Sequence, residues 1–131
     1  MASIFTRIIK GEIPSYKIAE NERYYAFLDI NPLSEGHALV VPKVEVDYIF
    51  DLDSDALSGL FAFGQRVARA IESVVTCERI GVAVIGLEVP HAHVHLIPIN
   101  GIHDIDFSKE RVAMTPQQFE ALAERISEQF S

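Results

Sequence analysis

Three histidines alternate with single apolar residues in one short stretch of this 131-residue chain: His91, His93 and His95. Successive side chains of a β-strand point to opposite faces, so the three imidazoles are predicted to line one face. An α-helix, with about 3.6 residues per turn, would scatter them around its axis. The alternation therefore predicts a strand over 91–99 that presents a row of imidazoles.

A row of imidazoles can support two kinds of chemistry. A neutral imidazole is a nucleophile at neutral pH, and its neighbours can hydrogen-bond phosphate oxygens or pass a proton. Attack on phosphorus would leave a phosphoramidate on histidine, which water could then open. The alternative is a metal site. On a straight strand His91 and His95 would lie about 13 Å apart, too far to share one ion easily, so the candidate ligands are His91, His93 and His37. Histidines that are simply satisfied by hydrogen bonds are a third interpretation.

Composition narrows the class of protein. A hydrophobic fraction of 49% and a charged fraction of 23% are typical of a globular domain, and we expect one domain over 1–131. The net charge of -8 argues against nucleic acid or an anionic membrane surface as a partner. Cys77 is the single cysteine, and the sequence has neither a signal-peptide pattern nor an apolar run of about 18 residues. A cytoplasmic protein is therefore expected.

Periodic patterns predict the elements that position the histidines. Apolar residues at helical spacing indicate a short helix over 3–10, a long helix over about 55–76, and a C-terminal helix that starts at the capping box of Thr115 and Gln118. The early loops are too short for parallel crossovers, which favours an α+β fold with an antiparallel sheet. The predicted strands cover 16–19, 24–28, 37–41, 80–85 and 91–99.

Segment 91–97 resembles the His-φ-His-φ-His-φ-φ signature, where φ is an apolar residue, of the histidine triad family of nucleotide hydrolases and transferases. Further matches follow in the family's order at 4–14, 26–32, 36–43 and 89–90. The resemblance covers about residues 3–100 and leaves 101–131 as a C-terminal extension. It implies a five-stranded antiparallel sheet with one long helix, joined to that of a second copy in a homodimer with a continuous ten-stranded sheet.

The resemblance also implies what each site residue does. His93 would attack the α-phosphorus of a purine nucleotide or nucleotide conjugate and form a covalent nucleotidyl-histidine, without a cofactor. His91 and His95 would bind and orient the phosphate or help protonate the leaving group, and His37 matches the family's fourth catalytic-site histidine beside them. Asp29 would accept the ribose hydroxyls. An apolar slot for the purine is implied by a set of five side chains: Phe5, Ile8, Phe27, Leu28 and Ile30.

The segment just before the triad departs from the family pattern. Leu87 stands where many members have a glutamine, and Glu88 stands where they have a small polar residue. The loop at 84–86 is shorter than the family's Asn-Gly-rich loop. An apolar side chain cannot donate to a phosphate, and a carboxylate repels one unless it is protonated. We expect Glu88 to lie beside the nucleotide and the leaving-group side of the site to differ from that of the family.

Two further expectations concern a structural zinc site and the C-terminal helix. The family's zinc-binding variant has cysteines and a histidine where this chain has Ser3, Thr6 and Glu45, so no structural zinc is expected. In the C-terminal extension, we expect the apolar face of the helix after Thr115 to pack in a dimer.

The leading functional prediction is a histidine triad hydrolase acting at the α-phosphate of a phosphoramidate, an adenylylated compound or a dinucleoside polyphosphate. One alternative is a nucleotide-binding regulatory protein with little turnover, motivated by Leu87 and Glu88. Another is a metal-dependent hydrolase that uses His91, His93 and His37.

Overall fold

A computed structural model describes residues 2–131, which form one five-stranded sheet with helices. Every strand pair is antiparallel, and the strand order is β1-β2-β3-β5-β4. The predicted α+β fold with an antiparallel sheet is therefore confirmed. The elements are α1 (Ile4–Ile9), β1 (Lys17–Glu20), β2 (Tyr24–Leu28), β3 (Ala38–Pro42), α2 (Ser54–Glu72), β4 (Arg79–Ala83), β5 (Val94–Ile99) and α3 (Pro116–Gln129), with 3-10 turns at Ile49–Asp51 and Ile102–Asp104.

The long helix α2 packs across one face of the sheet. It begins at Asp53, whose carboxylate accepts the Ala56 N–H at 2.8 Å and so satisfies one free donor of the first turn. It ends earlier than expected, at Glu72, where a run of β-branched residues disfavours further helix. On α2, Phe61 is 44% exposed, whereas Phe63 is buried in the core.

The strand register separates the two faces of the sheet. Phe27 pairs with Leu39, and Leu39 pairs with His95, so these three side chains form one row across the site face. Leu28 is one residue further along and points to the opposite face, where it is 1% exposed in the core beneath α2. The prediction that Leu28 lines the purine slot is therefore wrong.

The triad strand begins later than predicted. Pairing with β3 starts at Val94, opposite Val40, and continuing that register would put Ala92 opposite Pro42, which has no N–H to donate. Instead, the Ala92 N–H donates to the Val46 carbonyl at 2.7 Å. The side chains still alternate, with Ala92 and Val94 in the core under α2.

The C-terminal helix α3 belongs to the same core. It packs against α2 and β1, and its apolar face is buried there: Phe119, Leu122, Ala123 and Ile126. The ring of Phe119 stacks on Tyr16 with a centroid distance of 5.0 Å. The expectation that this face packs in a dimer is therefore wrong, because it is already covered within the subunit. Within residues 2–131, no helix has both the length and the apolar character needed to cross a bilayer.

Candidate active site

His93 lies just before β5 with one ring nitrogen already engaged. Its Nδ1 is 2.7 Å from the carbonyl oxygen of His91. A carbonyl can only accept, so the proton of the neutral imidazole resides on Nδ1 and Nε2 keeps its lone pair. Phe5 and His95 each hold the ring edge-on, with centroid distances of 5.0 Å. His93 Nε2 therefore carries a free lone pair, which nucleophilic attack requires.

His91 is fully buried, and both of its ring nitrogens are bonded inside the protein. Nε2 donates to the Pro42 carbonyl at 2.8 Å, which leaves Nδ1 to accept from the Ser3 hydroxyl at 2.7 Å. Burial is the largest cause of its lowered pKa, so the ring is neutral at neutral pH. The predicted role of His91 as a phosphate ligand is therefore wrong; its backbone carbonyl instead orients His93.

His37 and His95 form a buried hydrogen-bonded pair. The Leu33 N–H donates to His37 Nδ1 at 3.0 Å, so the neutral His37 ring carries its proton on Nε2 and donates it to His95 Nδ1 at 2.9 Å. His95 is then left with an Nε2–H. Burial is the main cause that lowers the pKa of His37 to about 3 and of His95 to about 4. Both imidazoles are neutral at neutral pH, and His95 has a donor to offer a ligand.

Asp29 follows β2 and faces the same pair. Its Oδ2 lies 3.5 Å from His37 Nε2, and its Oδ1 accepts the Asn31 N–H at 2.8 Å. Burial raises the pKa of Asp29, which the Asn31 N–H and the positive charge of Arg111 partly offset. The half-buried carboxylate can therefore accept hydrogen bonds from a ligand diol.

The fold does not bring together His91, His93 and His37, the three histidines considered as metal ligands from the sequence. His91 has both nitrogens engaged elsewhere, so it does not join His93 and His37 around a common point. Ligand atoms of Asp29, His37 and His95 do lie within 4.8 Å of one another. In that group, the His37 Nε2–H already donates to His95 Nδ1, so these two ring nitrogens are hydrogen-bonded to each other.

The apolar residues predicted for the base lie on the histidine face, apart from Leu28. Phe5 contacts Phe27 edge-on at a centroid distance of 5.6 Å, and Ile8 packs in the same small cluster. Ile30 is 72% exposed beside Asp29, free to contact a ligand. Glu88 is also exposed, and its charge acts to raise the pKa of Asp29, which places it on the same side of the site.

A polar cluster that the sequence did not predict ties α1 to His91. The Ser3 N–H and the Thr6 hydroxyl both donate to Glu45 Oε1, at 2.7 and 2.6 Å. The Ser3 hydroxyl also accepts the Thr6 N–H as the N-cap of α1. Sequence analysis identified these three positions only as departures from a zinc site. The structure gives them a hydrogen-bonding role of their own.

Sequence reasoning also missed two residues after β5. Phe107 packs edge-on against His95, with a centroid distance of 4.9 Å, and Arg111 donates to the Phe107 carbonyl at 3.0 Å. Both residues lie in an irregular segment without apolar periodicity, so no local pattern indicates that they return to the site.

An apolar cleft of about 610 Å³ also opens beside His93. The segment before α2, the first turns of α2 and the loop before the triad form its walls. Leu87, at the position that departs from the family pattern, is 89% exposed at this cleft. The lining includes Tyr48, Phe50, Leu57, Phe61, Val84, Ile85 and Leu87.

A histidine row on one face of a five-stranded antiparallel sheet, with a carboxylate and an apolar cluster beside it, defines the class of histidine triad proteins. A family model described as HIT domain matches residues 10–101. The Saccharomyces cerevisiae protein named adenosine 5'-monophosphoramidase HNT1 is 40% identical over 99 residues, which cover 74% of this chain and 62% of that protein. The chain belongs to the HIT domain family.

Two further similarities extend over nearly the whole chain. The Schizosaccharomyces pombe protein named adenosine 5'-monophosphoramidase hnt1 is 34% identical over 130 residues, 97% of each chain. The crystal structure of a Hit-like protein from Bartonella henselae superposes with a TM-score of 0.83 at 27% identity, covering 98% of this chain and 96% of that one. The likeness of fold therefore includes the C-terminal segment beyond the family match.

Proposed function

We propose that this protein hydrolyses a purine nucleoside 5'-monophosphate linkage at its α-phosphorus, with a phosphoramidate as the first candidate substrate. The observation that carries the proposal is the hydrogen bond from His93 Nδ1 to the His91 carbonyl, because it leaves Nε2 unprotonated. The relatives named adenosine 5'-monophosphoramidase support the choice of linkage.

The reaction proceeds in two displacements at phosphorus. His93 Nε2 attacks the α-phosphorus, the bond to the leaving amine breaks, and the amine departs with that electron pair and takes a proton from water. The His95 Nε2–H donates to a phosphate oxygen and stabilises its growing negative charge. Water then attacks the nucleotidyl-histidine, loses a proton to solvent, and releases the monophosphate and neutral His93.

Binding of the nucleotide uses the remaining residues of the histidine face. Asp29 accepts the ribose hydroxyls, while Phe5, Ile8 and Phe27 offer an apolar surface to the base beside exposed Ile30. Glu88 lies near the phosphates or the leaving group. These assignments are part of the proposal and are tested by nucleotide affinity: Asp29→Asn should weaken adenosine monophosphate binding more than 2'-deoxyadenosine monophosphate binding, because only the former has the 2'-hydroxyl.

The first test follows adenosine 5'-phosphoramidate by product analysis and intact-mass spectrometry, with alkaline quenching to preserve the P–N bond. Wild type should release adenosine monophosphate and carry a nucleotidyl adduct, whereas His93→Ala should do neither. His103→Ala is the matched control, because His103 is exposed in the 3-10 turn after β5. Nucleotide binding without an adduct or turnover would favour the regulatory alternative, to which exposed Leu87 and Glu88 point. Loss of activity on chelation would favour the metal-dependent one.

We further propose that a second copy pairs along β4. This strand forms an edge of the sheet, and an unpaired edge is a template for another strand. Val82 on β4 is 53% exposed beside Phe61 of α2, which gives the edge an apolar flank. Sedimentation should show a dimer for wild type and a monomer for Val82→Lys; an unchanged dimer in this variant would contradict the assignment. A cytoplasmic location and the absence of nucleic-acid or membrane partners stay predictions.

A further inference from the structure

Phe107 lies over the hydrogen-bonded pair of His37 and His95. Its ring centroid is 4.9 Å from that of His95 and 6.3 Å from that of His37, with near-perpendicular planes in both contacts. Phe107 belongs to residues 105–112, the irregular segment between the 3-10 turn after β5 and the approach to α3, which we call the strap. The strap returns the chain to the site after the triad strand has ended.

Arg111 fastens the strap to the loop that follows Asp29. Its guanidinium donates to the Asn31 carbonyl at 2.7 Å and to the Phe107 carbonyl at 3.0 Å. It also lies 5.6 Å from the centre of the Phe107 ring. This planar fork joins the strap to the loop beside the Val112 N–H, which donates to the Pro32 carbonyl at 2.9 Å, and it fixes the backbone that carries the covering ring.

We propose that Phe107 and Arg111 are positioning residues, which shield the hydrogen bond between His37 and His95 from water and keep the outward N–H of His95 aimed at the substrate phosphate. The part of this proposal that names the phosphate rests on the proposed function. The shielding itself is a property of the two imidazoles and can be measured without any turnover.

The charges that face the pair come from three elements. Asp29, after β2, lies 3.5 Å from His37 Nε2 and favours the protonated form of that ring. Burial is the largest cause of the lowered pKa of His95. His93, before β5, and Arg111, on the strap, lower that pKa further. Removing the Phe107 ring readmits water on the exposed side of His95. The pKa of His95 should therefore rise towards its ordinary value.

The experiment measures tautomer and pKa by long-range ¹H–¹⁵N correlation of the imidazoles in the full-length protein, titrated from about pH 3 to about pH 8. Wild type should show the Nε2–H tautomer for His37 and His95. Phe107→Ala should raise the pKa of His95 by about one pH unit, and Phe107→Leu by less. Lys109→Met is the control on the same strap, because the charge of Lys109 acts on Asp104 and Asp106 and is not among the charges that shift the pKa of His37 or His95.

Two variants separate the charge of Arg111 from its anchoring. Arg111→Lys keeps a positive charge, but a single ammonium cannot reproduce the two-pronged bond to both carbonyls. Arg111→Met loses charge and anchor together. We expect Arg111→Met to raise the pKa of His95 as much as Phe107→Ala does, with Arg111→Lys between it and wild type. If anchoring is irrelevant, Arg111→Lys will match wild type, which overturns the role given to Arg111.

Turnover supplies the functional half of the test. The kcat of Phe107→Ala should fall more at about pH 5 than at about pH 8, because a protonated His95 would lose the His37 hydrogen bond. A His95 pKa in Phe107→Ala that stays constant overturns the shielding. A pKa that falls also overturns it, because the ring would then be stabilising an imidazolium. The expected pKa rise in a protein whose wild type shows no turnover would refute the proposed function alone.

Discussion

The loss of a single hydroxyl at Ser3 should reach the proposed nucleophile through two hydrogen bonds. In Ser3→Ala, Nδ1 of fully buried His91 loses its donor, and a buried polar atom without a partner costs about 1–3 kcal/mol. The same hydroxyl caps α1, which is worth about 1 kcal/mol. Because one atom serves both contacts, the two costs are not strictly additive, and we expect a total destabilisation of about 2–3 kcal/mol, below their sum.

The assay is urea unfolding beside steady-state hydrolysis of adenosine 5'-phosphoramidate. The Thr6 hydroxyl lies 3.4 Å from His91 Nδ1 but donates to Glu45, so His91 regains a close donor by shifting towards it. That shift displaces the carbonyl that holds His93 Nδ1. We expect kcat to fall about tenfold, equivalent to about 1.4 kcal/mol in the barrier, with KM nearly constant. Ser3→Thr should restore both readouts, because it retains the hydroxyl.

Thr115→Ala is the matched control for this prediction. Thr115 caps α3 in the same way, with its hydroxyl accepting the Gln118 N–H, but it has no contact with a histidine. It should lose about 1 kcal/mol of stability with no change in kcat. If Ser3→Ala is no more destabilising than Thr115→Ala and keeps its full kcat, the reasoning that links Ser3 to His93 through His91 is refuted.

Three other predictions concern stability and are read from urea unfolding. Since His37 and His95 have pKa values of about 3 and about 4 when folded and 6.5 ordinarily, the unfolded chain binds more protons between about pH 4 and about pH 6.5. The contribution of the two histidines to stability should be constant above that range. Within the range, stability should decrease as the pH is lowered, by about 1.4 kcal/mol per pH unit for each histidine. Leu60→Ala should cost about 2–5 kcal/mol, because Leu60 is fully buried under the sheet. Gly36→Ala should also destabilise, because Gly36 has φ +95° and its new methyl group would meet neighbouring side chains at 3.0–3.1 Å; Gly64→Ala, in open space on α2, should be neutral or stabilising.

Each of these has a result that would contradict it. His37→Asn should flatten the acid slope, whereas exposed His103→Ala should leave it unchanged; equal slopes in both would mean that other groups cause the acid loss. Leu87→Ala removes the same atoms as Leu60→Ala from an exposed position and should change stability by less than about 0.5 kcal/mol. Equal costs for the two leucines, or for the two glycines, would refute the burial and backbone arguments.

The strands and the histidine face could be predicted because both depend on local alternation. A period of two residues determines which side chains share a face, and the observed row of Phe27, Leu39 and His95 obeys it. The same rule shows why Leu28 was misplaced: adjacency to Phe27 in the sequence puts it on the opposite face. The strap could not be predicted, because Arg111 and its acceptor Asn31 are 80 residues apart and neither lies in a periodic segment.

The three triad histidines are identical in type, and the fold gives them different hydrogen-bonding states through the partner of one ring nitrogen. His91 binds the Pro42 carbonyl 49 residues away and becomes structural, while His93 binds the carbonyl two residues before it and keeps a free Nε2. His95 accepts from His37, 58 residues away, and so retains a donor. The alternation gathers the imidazoles, but their tautomers depend on groups that distant strands and loops bring to them. For His91 and His95, the role of the imidazole is therefore tested by varying the side chain that bonds its Nδ1, as Ser3→Ala does for His91 and His37→Asn does for His95.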